Sequence, residues 1–432
     1  MNYLDEAKKI KDELIADRRY LHENPELSHE EDETVKFITE RLNSLGIRYV
    51  IVPKGGVLGF IGLRDNTART VLLRADIDAL KIEESENNFM GRKVSVSKVP
   101  GVAHLCGHDA HTAMLLGAAR MLKEREAEIE KLNGRVILAF ERAEEKGGCL
   151  CDLLEFIYDN KIKVDGCFAE HVRGTGLKAG TAAILDGPVT AGAYGFEVEI
   201  TGKGGHGSTP YIANNPIDCF MAIYQAVSEI PVRFIPADKT CSFSLGLVSA
   251  GKVWNIIPDR LTFAGSYRYY DTEVGKTVYD KFHEFLNNIC KTYGCKYEIK
   301  QQIGPIIPTV NNPTCAGIAR GSARKLGDGI EVNFRRWTAS ESFSAAARMY
   351  PGAMAFIGIE NEDIGTGADN HSPFFDIDEN ALPIGTALEV QYAFDFLRFD
   401  GSIDDFEPCN ETPQELYKEV NYITDGEENK SE

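Results

Sequence analysis

The chain has 432 residues, 43% of them apolar, which exceeds one ordinary domain and suffices for sizeable cores. Its 47 basic and 66 acidic residues leave a net charge of −19. That balance argues against nucleic acid and anionic membrane surfaces, where basic groups must neutralise phosphates, and leaves small molecules as partners.

Residues 1–17 mix acids and lysines with Leu4, Ile10, Leu14 and Ile15 at helical spacing, without the basic start and apolar block of a signal peptide. No run approaches the roughly 20 apolar residues of a membrane helix. Ten cysteines lie scattered, several of them (Cys167, Cys219, Cys241) inside apolar runs, as reduced core thiols do. The expectation is a soluble, cytoplasmic protein.

Strand-like and helical runs then alternate: a strand at 71–73, a helix at 112–125, a strand at 136–140, a helix at 150–158 and a strand leading to His171. Asp76, Asp78, Glu144, Glu145 and His171 all follow strands, where open α/β sheets place ligands. Residues 196–301 read as β-α-β-β-α-β, a ferredoxin-like module. A strand at 353–359 and a helix at 382–396 resume the first pattern. The fold class is therefore α/β, a larger catalytic domain (residues 1–186 and 304–400) with an inserted α+β module (187–303). Residues 401–432 carry ten acids against Lys418 and Lys430 and read as a solvated acidic tail of disordered composition.

Cys106-Gly107-His108-Asp109-Ala110-His111 carries the strongest chemical signal, because Cys106 and His108 can face one ion while Gly107 lets the backbone bend. A lone Cys-x-His is weak. With Glu144, Glu145, His171 and His371 it becomes a dinuclear site of thiolate, imidazole and carboxylate donors, beside a carboxylate able to activate water. The bland reading of Glu144 and Glu145, a solvated helix start, sits poorly with the apolar strand before them. Asp76 and Asp78 suit orientation of the ligating imidazoles; their alternative is a solvated loop. His206, in Gly204-Gly205-His206-Gly207-Ser208, suits donation to a developing oxyanion. Asn255 and Arg268 lie in the same module, and Arg268 suits a substrate carboxylate or a structural ion pair.

These residues resemble the two-metal peptidases and deacylases typified by aminoacylase and bacterial glutamate carboxypeptidase. The likeness is nearest to the amidohydrolase branch of N-acyl amino acid, hippurate and auxin-conjugate hydrolases. It rests on Leu21 to Ser28, Arg74 to Leu80, Cys106 to His111, Ala143-Glu144-Glu145, Gly204 to Gly207, Asn255 to Pro258, His371-Ser372-Pro373 and Phe375 to Glu379. The resemblance implies that the inserted module is a lid that also forms a homodimer, and that two divalent ions (zinc or manganese, with cobalt or nickel as alternatives) are bound. It implies five ligands, Cys106, His108, Glu145, His171 and His371, with Cys106 bridging, His108 and His171 on one ion, and Glu145 and His371 on the other.

Glu144 is then the general base, His206 the oxyanion donor to a partner subunit, and Asn255 with Arg268 the grip on a substrate carboxylate. The implied reaction is hydrolysis of N-acyl amino acids to acid and amino acid. The alternatives are an exopeptidase acting on short peptides through the same metals, and a noncatalytic binding protein, against which the intact Glu144-Glu145 pair argues. Lys81, Arg142, Tyr211 and Ser342 depart from the branch pattern, where proline, proline, histidine and aspartate are usual. Arg142 and Tyr211 bear on the acyl side of the pocket.

Overall fold

The computed structural model describes residues 2–146, 149–407 and 409–420 of the chain. Its larger sheet has the strand order Arg48–Val52, Gly56–Gly62, Gly134–Glu141, Arg69–Asp76, Gly166–Lys178, Gly352–Glu360 and Ala182–Ala183. The four strands from Gly134–Glu141 to Gly352–Glu360 run parallel. A hairpin at one edge and Ala182–Ala183 at the other pair antiparallel. Gly134–Glu141 is buried throughout, as expected of a parallel strand covered on both faces. Every residue of the helix Leu382–Arg398 except Asp395 and Arg398 is buried, which explains its apolar character all round. It packs on the helix His108–Lys123 and on the strand Arg69–Asp76.

Strand register brings the chemistry together. Asp76 stands opposite Glu141, and Phe356 opposite His171. Arg74 pairs with Ala169, so Asp76 and His171 lie two residues farther along neighbouring parallel strands. The carboxyl ends of these strands thus converge, which is where a ligand crevice forms in open sheets.

Residues 190–308 and 337–341 form a separate unit. Its sheet is antiparallel, in the order Cys241–Ala250, Arg260–Tyr269, Gly192–Thr201 and Lys296–Ile303. The helices Pro216–Ser228 and Thr272–Thr292 pack on each other and on the sheet. Tyr194, Phe196, Phe220, Phe263, Tyr267 and Phe282 build its core. The junctions fall a few residues inside the expected 187 and beyond the expected 303, because Gly187–Pro188 pairs with Val310–Asn311 and Val189 N–H donates to the Thr309 carbonyl. Residues 337–341 join this unit through a bond from Tyr270 Oη to the Trp337 carbonyl (3.1 Å) and one from Ala191 N–H to the Ala339 carbonyl.

The segment expected as a solvated acidic tail keeps Asp404, Asp405, Glu407 and Glu415 exposed in its described part, yet it makes ordered contacts there. Asp405 accepts from Asn312 Nδ2 (2.9 Å) and from Thr314 Oγ1 and N–H, satisfying donors in the first turn of the helix Pro313–Leu326. A helix follows at Pro413–Val420, with Leu416 buried. Composition counts the charges of such a segment but not the donors that await them. Residues 421–432 lie outside the described residues.

Candidate metal centre

The helix expected from residue 112 begins at His108, one turn earlier. Gly107 caps it at φ +95°, and a Cβ there would meet Val172 Cγ2 at 2.2 Å. Only glycine satisfies both demands. The chain therefore turns sharply between Cys106 and His108, and both side chains face the same interior.

Hydrogen bonds decide which imidazole nitrogens are free. His108 Nδ1–H donates to the Asp78 carbonyl (2.9 Å) and to Oδ1 (3.0 Å), leaving the Nε2 lone pair available. His171 Nδ1–H donates to the Val172 carbonyl (2.9 Å), which turns Nε2 toward the Cys106 sulfur. Metal-ligating histidines are held by such contacts at their second nitrogen. His111 differs: Nδ1 bonds to Asp76 Oδ1 (2.6 Å), and Nε2 accepts the Val172 N–H (2.9 Å). Both of its nitrogens are used, so its nearness to Asp76 and His108 makes no ligand of it. Asp76 accordingly orients His111, while Asp78 orients His108.

The turn carrying Glu144 and Glu145 is braced by residues distant in sequence. Ala143 adopts φ +53°, unfavourable for any residue with a Cβ. Its N–H donates to Glu31 Oε1 (2.7 Å), and Glu31 Oε2 accepts from Arg142 Nε (2.8 Å). Arg142 also donates to the His29 carbonyl. Its guanidinium thus clamps the turn. Asp78 Oδ2 accepts the Glu145 N–H (3.1 Å) and the Ser28 hydroxyl (2.7 Å), so one carboxylate positions both His108 and Glu145.

Ligand-type atoms gather in three further groups, each within 4.8 Å: Cys106 with His108 and His171, Cys106 with Glu145 and His371, and His108 with Glu144 and Glu145. Cys106 Sγ lies 3.5 Å from His171 Nε2, and His371 Nε2 lies 3.2 Å from Glu145 Oε1. His108 Nε2 and Glu145 Oε1 are buried without hydrogen-bond partners, 3.9 Å apart. Buried polar atoms seldom remain so, and a shared cation would satisfy both. The donor set fits divalent metal.

The three buried donors differ in protonation, and only His171 already stands in the form a ligand takes. Burial pushes the Cys106 thiol well above its ordinary range, with Glu145 adding to the effect. Burial opposes charge on His108, yet Asp76 and Cys106 hold it well above the usual imidazole value. Burial drives His171 well below that value, keeping it neutral, as a ligand must be. A thiol at a metal is deprotonated outright.

His206 and Asn255 come together in the second unit. His206 pairs with Ile256 in a short ribbon, and Gly207 N–H donates to the Asn255 carbonyl (2.9 Å). The His206 ring bonds Ser208 Oγ (2.7 Å). Arg268 lies on the strand Arg260–Tyr269, with Nη1 donating to the Tyr267 carbonyl (3.0 Å). Sequence reading misses Glu31, Arg173 and Asn370, and notes Ser342 only as a departure from the branch pattern, because their partners are remote in the chain. His22, by contrast, lies in a quoted motif; its ring is bonded by Asp109 (2.8 Å) and Glu84 (3.0 Å).

Residues 72–395 match the family model for peptidase family M20/M25/M40. The chain is 34% identical to IAA-amino acid hydrolase ILR1-like 4 of Arabidopsis thaliana, over 89% of this chain and 86% of that protein. It is 34% identical to N-acetyl-L-cysteine deacetylase of Bacillus subtilis, over 86% and 85%. Among solved structures, the Bacillus subtilis YXEP protein, a dinuclear metal-binding peptidase from the M20 family, superposes with a TM-score of 0.72 at 30% identity, covering 89% of this chain and 98% of that one.

Proposed function

Since the chain belongs to peptidase family M20/M25/M40, we propose that it is a metal-dependent amidohydrolase that splits N-acyl amino acids into a carboxylic acid and an amino acid. The observation that carries this reading is Cys106, common to two groups of ligand atoms, one with His108 and His171 and the other with Glu145 and His371. Those five side chains would hold the ions. Thiolate and imidazole donors favour zinc, with manganese, cobalt and nickel as competitors. When bound, two divalent ions supply Lewis acidity, polarising the amide carbonyl and lowering the pKa of water from about 15.7 towards about 7.

Glu144 takes the proton of the attacking water and returns it to the departing amine. The N–H of Ser342 on its Oε1 (3.1 Å) supports that role by fixing the carboxylate. Asp78 sets the tautomer of His108 and the backbone of Glu145. His206 is assigned the oxyanion, and Asn255 with Arg268 the substrate carboxylate, as the contribution of the second unit, which we read as a lid.

Homodimerisation through that unit is supported by the strand Cys241–Ala250, an edge strand bearing exposed Leu247 and Val248. Among the described residues nine cysteines are free thiols, which supports a reducing compartment such as the cytoplasm. Among the described residues no helix is long and apolar enough to cross a membrane.

The test is a panel of N-acetyl and N-benzoyl amino acids beside dipeptides, assayed with metal-reconstituted protein. Metal-dependent release of amino acid from the acylated substrates is expected. Turnover of dipeptides alone would replace this reading with an exopeptidase.

A further inference from the structure

We propose that Asn370 is a positioning residue that holds the shared ligand Cys106 in place by tying its backbone to the strand carrying His171. The inference rests on the reading of Cys106 as a ligand common to two ions.

Asn370 immediately precedes His371. Its Nδ2 donates to the Cys106 carbonyl at 2.9 Å and lies 4.0 Å from Cys106 Sγ. Its Oδ1 accepts from Arg173 Nη1 at 2.8 Å. Arg173 is buried and stands two residues beyond His171 on the strand Gly166–Lys178. The same segment is anchored on either side: His371 N–H donates to the Leu105 carbonyl (2.7 Å), and Asp369 accepts from Thr175 Oγ1 (2.6 Å). One amide therefore joins three ligand-bearing segments, around Cys106, His171 and His371.

An amide suits this place because it presents a donor and an acceptor from one rigid plane. Aspartate keeps the acceptor for Arg173, loses the donor, and turns negative charge toward the Cys106 carbonyl and sulfur. Alanine loses both bonds. A thiolate common to two ions must keep its sulfur placed for both, so small displacements of Cys106 weaken both groups together. Partners of this kind govern metal affinity by about 10- to 100-fold.

The experiment uses the full chain and Co(II) as the probe. Affinity is measured by competition with a chromophoric chelator, the thiolate-to-Co(II) charge-transfer band by absorption, and the unfolding midpoint on metal-free protein. Asn370→Ala and Asn370→Asp are expected to lower affinity about 10-fold or more and to shift the band, with Asp at least as harmful as Ala, while the metal-free midpoint stays at the wild-type value. Wild-type affinity and band in both variants would overturn the proposal. So would an affinity loss matched by a fall in metal-free stability, since Asn370 would then be an ordinary fold contact. Cys106→Ala separates the two levels. If that variant still binds two Co(II) ions, the ligand assignment itself fails; if it loses the band while both Asn370 variants keep theirs, only the role of Asn370 fails.

Discussion

Glu144 Oε1 accepts the backbone N–H of Ser342 at 3.1 Å, across 198 residues of sequence. Ser342 is itself held, its hydroxyl accepting from Arg74 Nη2 (2.8 Å) and donating to Glu141 Oε1 (2.7 Å). Serine here replaces the aspartate usual in the amidohydrolase branch, and Glu141 supplies a carboxylate to Arg74. The Glu144 carboxylate is thereby fixed in orientation. Glu144→Gln should keep both metal ions, counted by elemental analysis, while kcat falls about 10²- to 10⁴-fold. Turnover near the wild-type rate would remove Glu144 from the mechanism.

Glu31 holds the strained Ala143 turn from a fully buried position. Glu31→Ala leaves the Ala143 N–H without its acceptor and Arg142 without its main partner. Stability to denaturant should fall by about 1–3 kcal/mol, and kcat should drop as Glu144 and Glu145 lose their placement. If kcat holds while stability falls, the clamp serves the fold and not the catalytic pair.

Gly107→Ala places a methyl group 2.2 Å from Val172 Cγ2 at a left-handed backbone position. Strain and overpacking each cost about 1–3 kcal/mol. The variant should unfold at lower temperature and, when folded, bind less metal, both readable by calorimetry and metal analysis. Normal metal content would show that the Cys106–His108 turn tolerates rearrangement.

Glu170 and Glu389 are both buried; neither Glu170 oxygen has a hydrogen-bond partner, nor does Glu389 Oε2. Burial raises both carboxyls well above their ordinary range, and mutual repulsion adds to Glu170. The folded protein thus holds protons that the unfolded chain releases near about pH 4.3. This contribution to stability is complete below that pH and is lost as pH rises towards the folded values. Glu389→Gln mimics the protonated form. It should raise the unfolding midpoint at pH 7–8 relative to wild type, with the advantage shrinking toward pH 4. A lower midpoint at pH 8 would refute the assignment.

Much of this was legible in the sequence because chemistry follows residue identity and apolar periodicity. Cys106, His108, Glu145, His171 and His371 announce themselves as ligand types, and the βαβ rhythm places Glu145 and His171 at strand-like runs. Arg142 illustrates the limit. Its charge close to Glu144 is read directly, whereas its bond to Glu31, 111 residues away, is not.

By itself, then, the sequence determined the donor atoms, their order along the chain and the presence of a base beside a ligand. Only the tertiary structure decided that His108 keeps a free nitrogen while His111 spends both, and that Ser342, Glu31 and Asn370 hold the site. A lone pair is available or used according to which remote carbonyl, amide or carboxylate meets the ring. That is settled by strand register and loop packing, which no local pattern encodes.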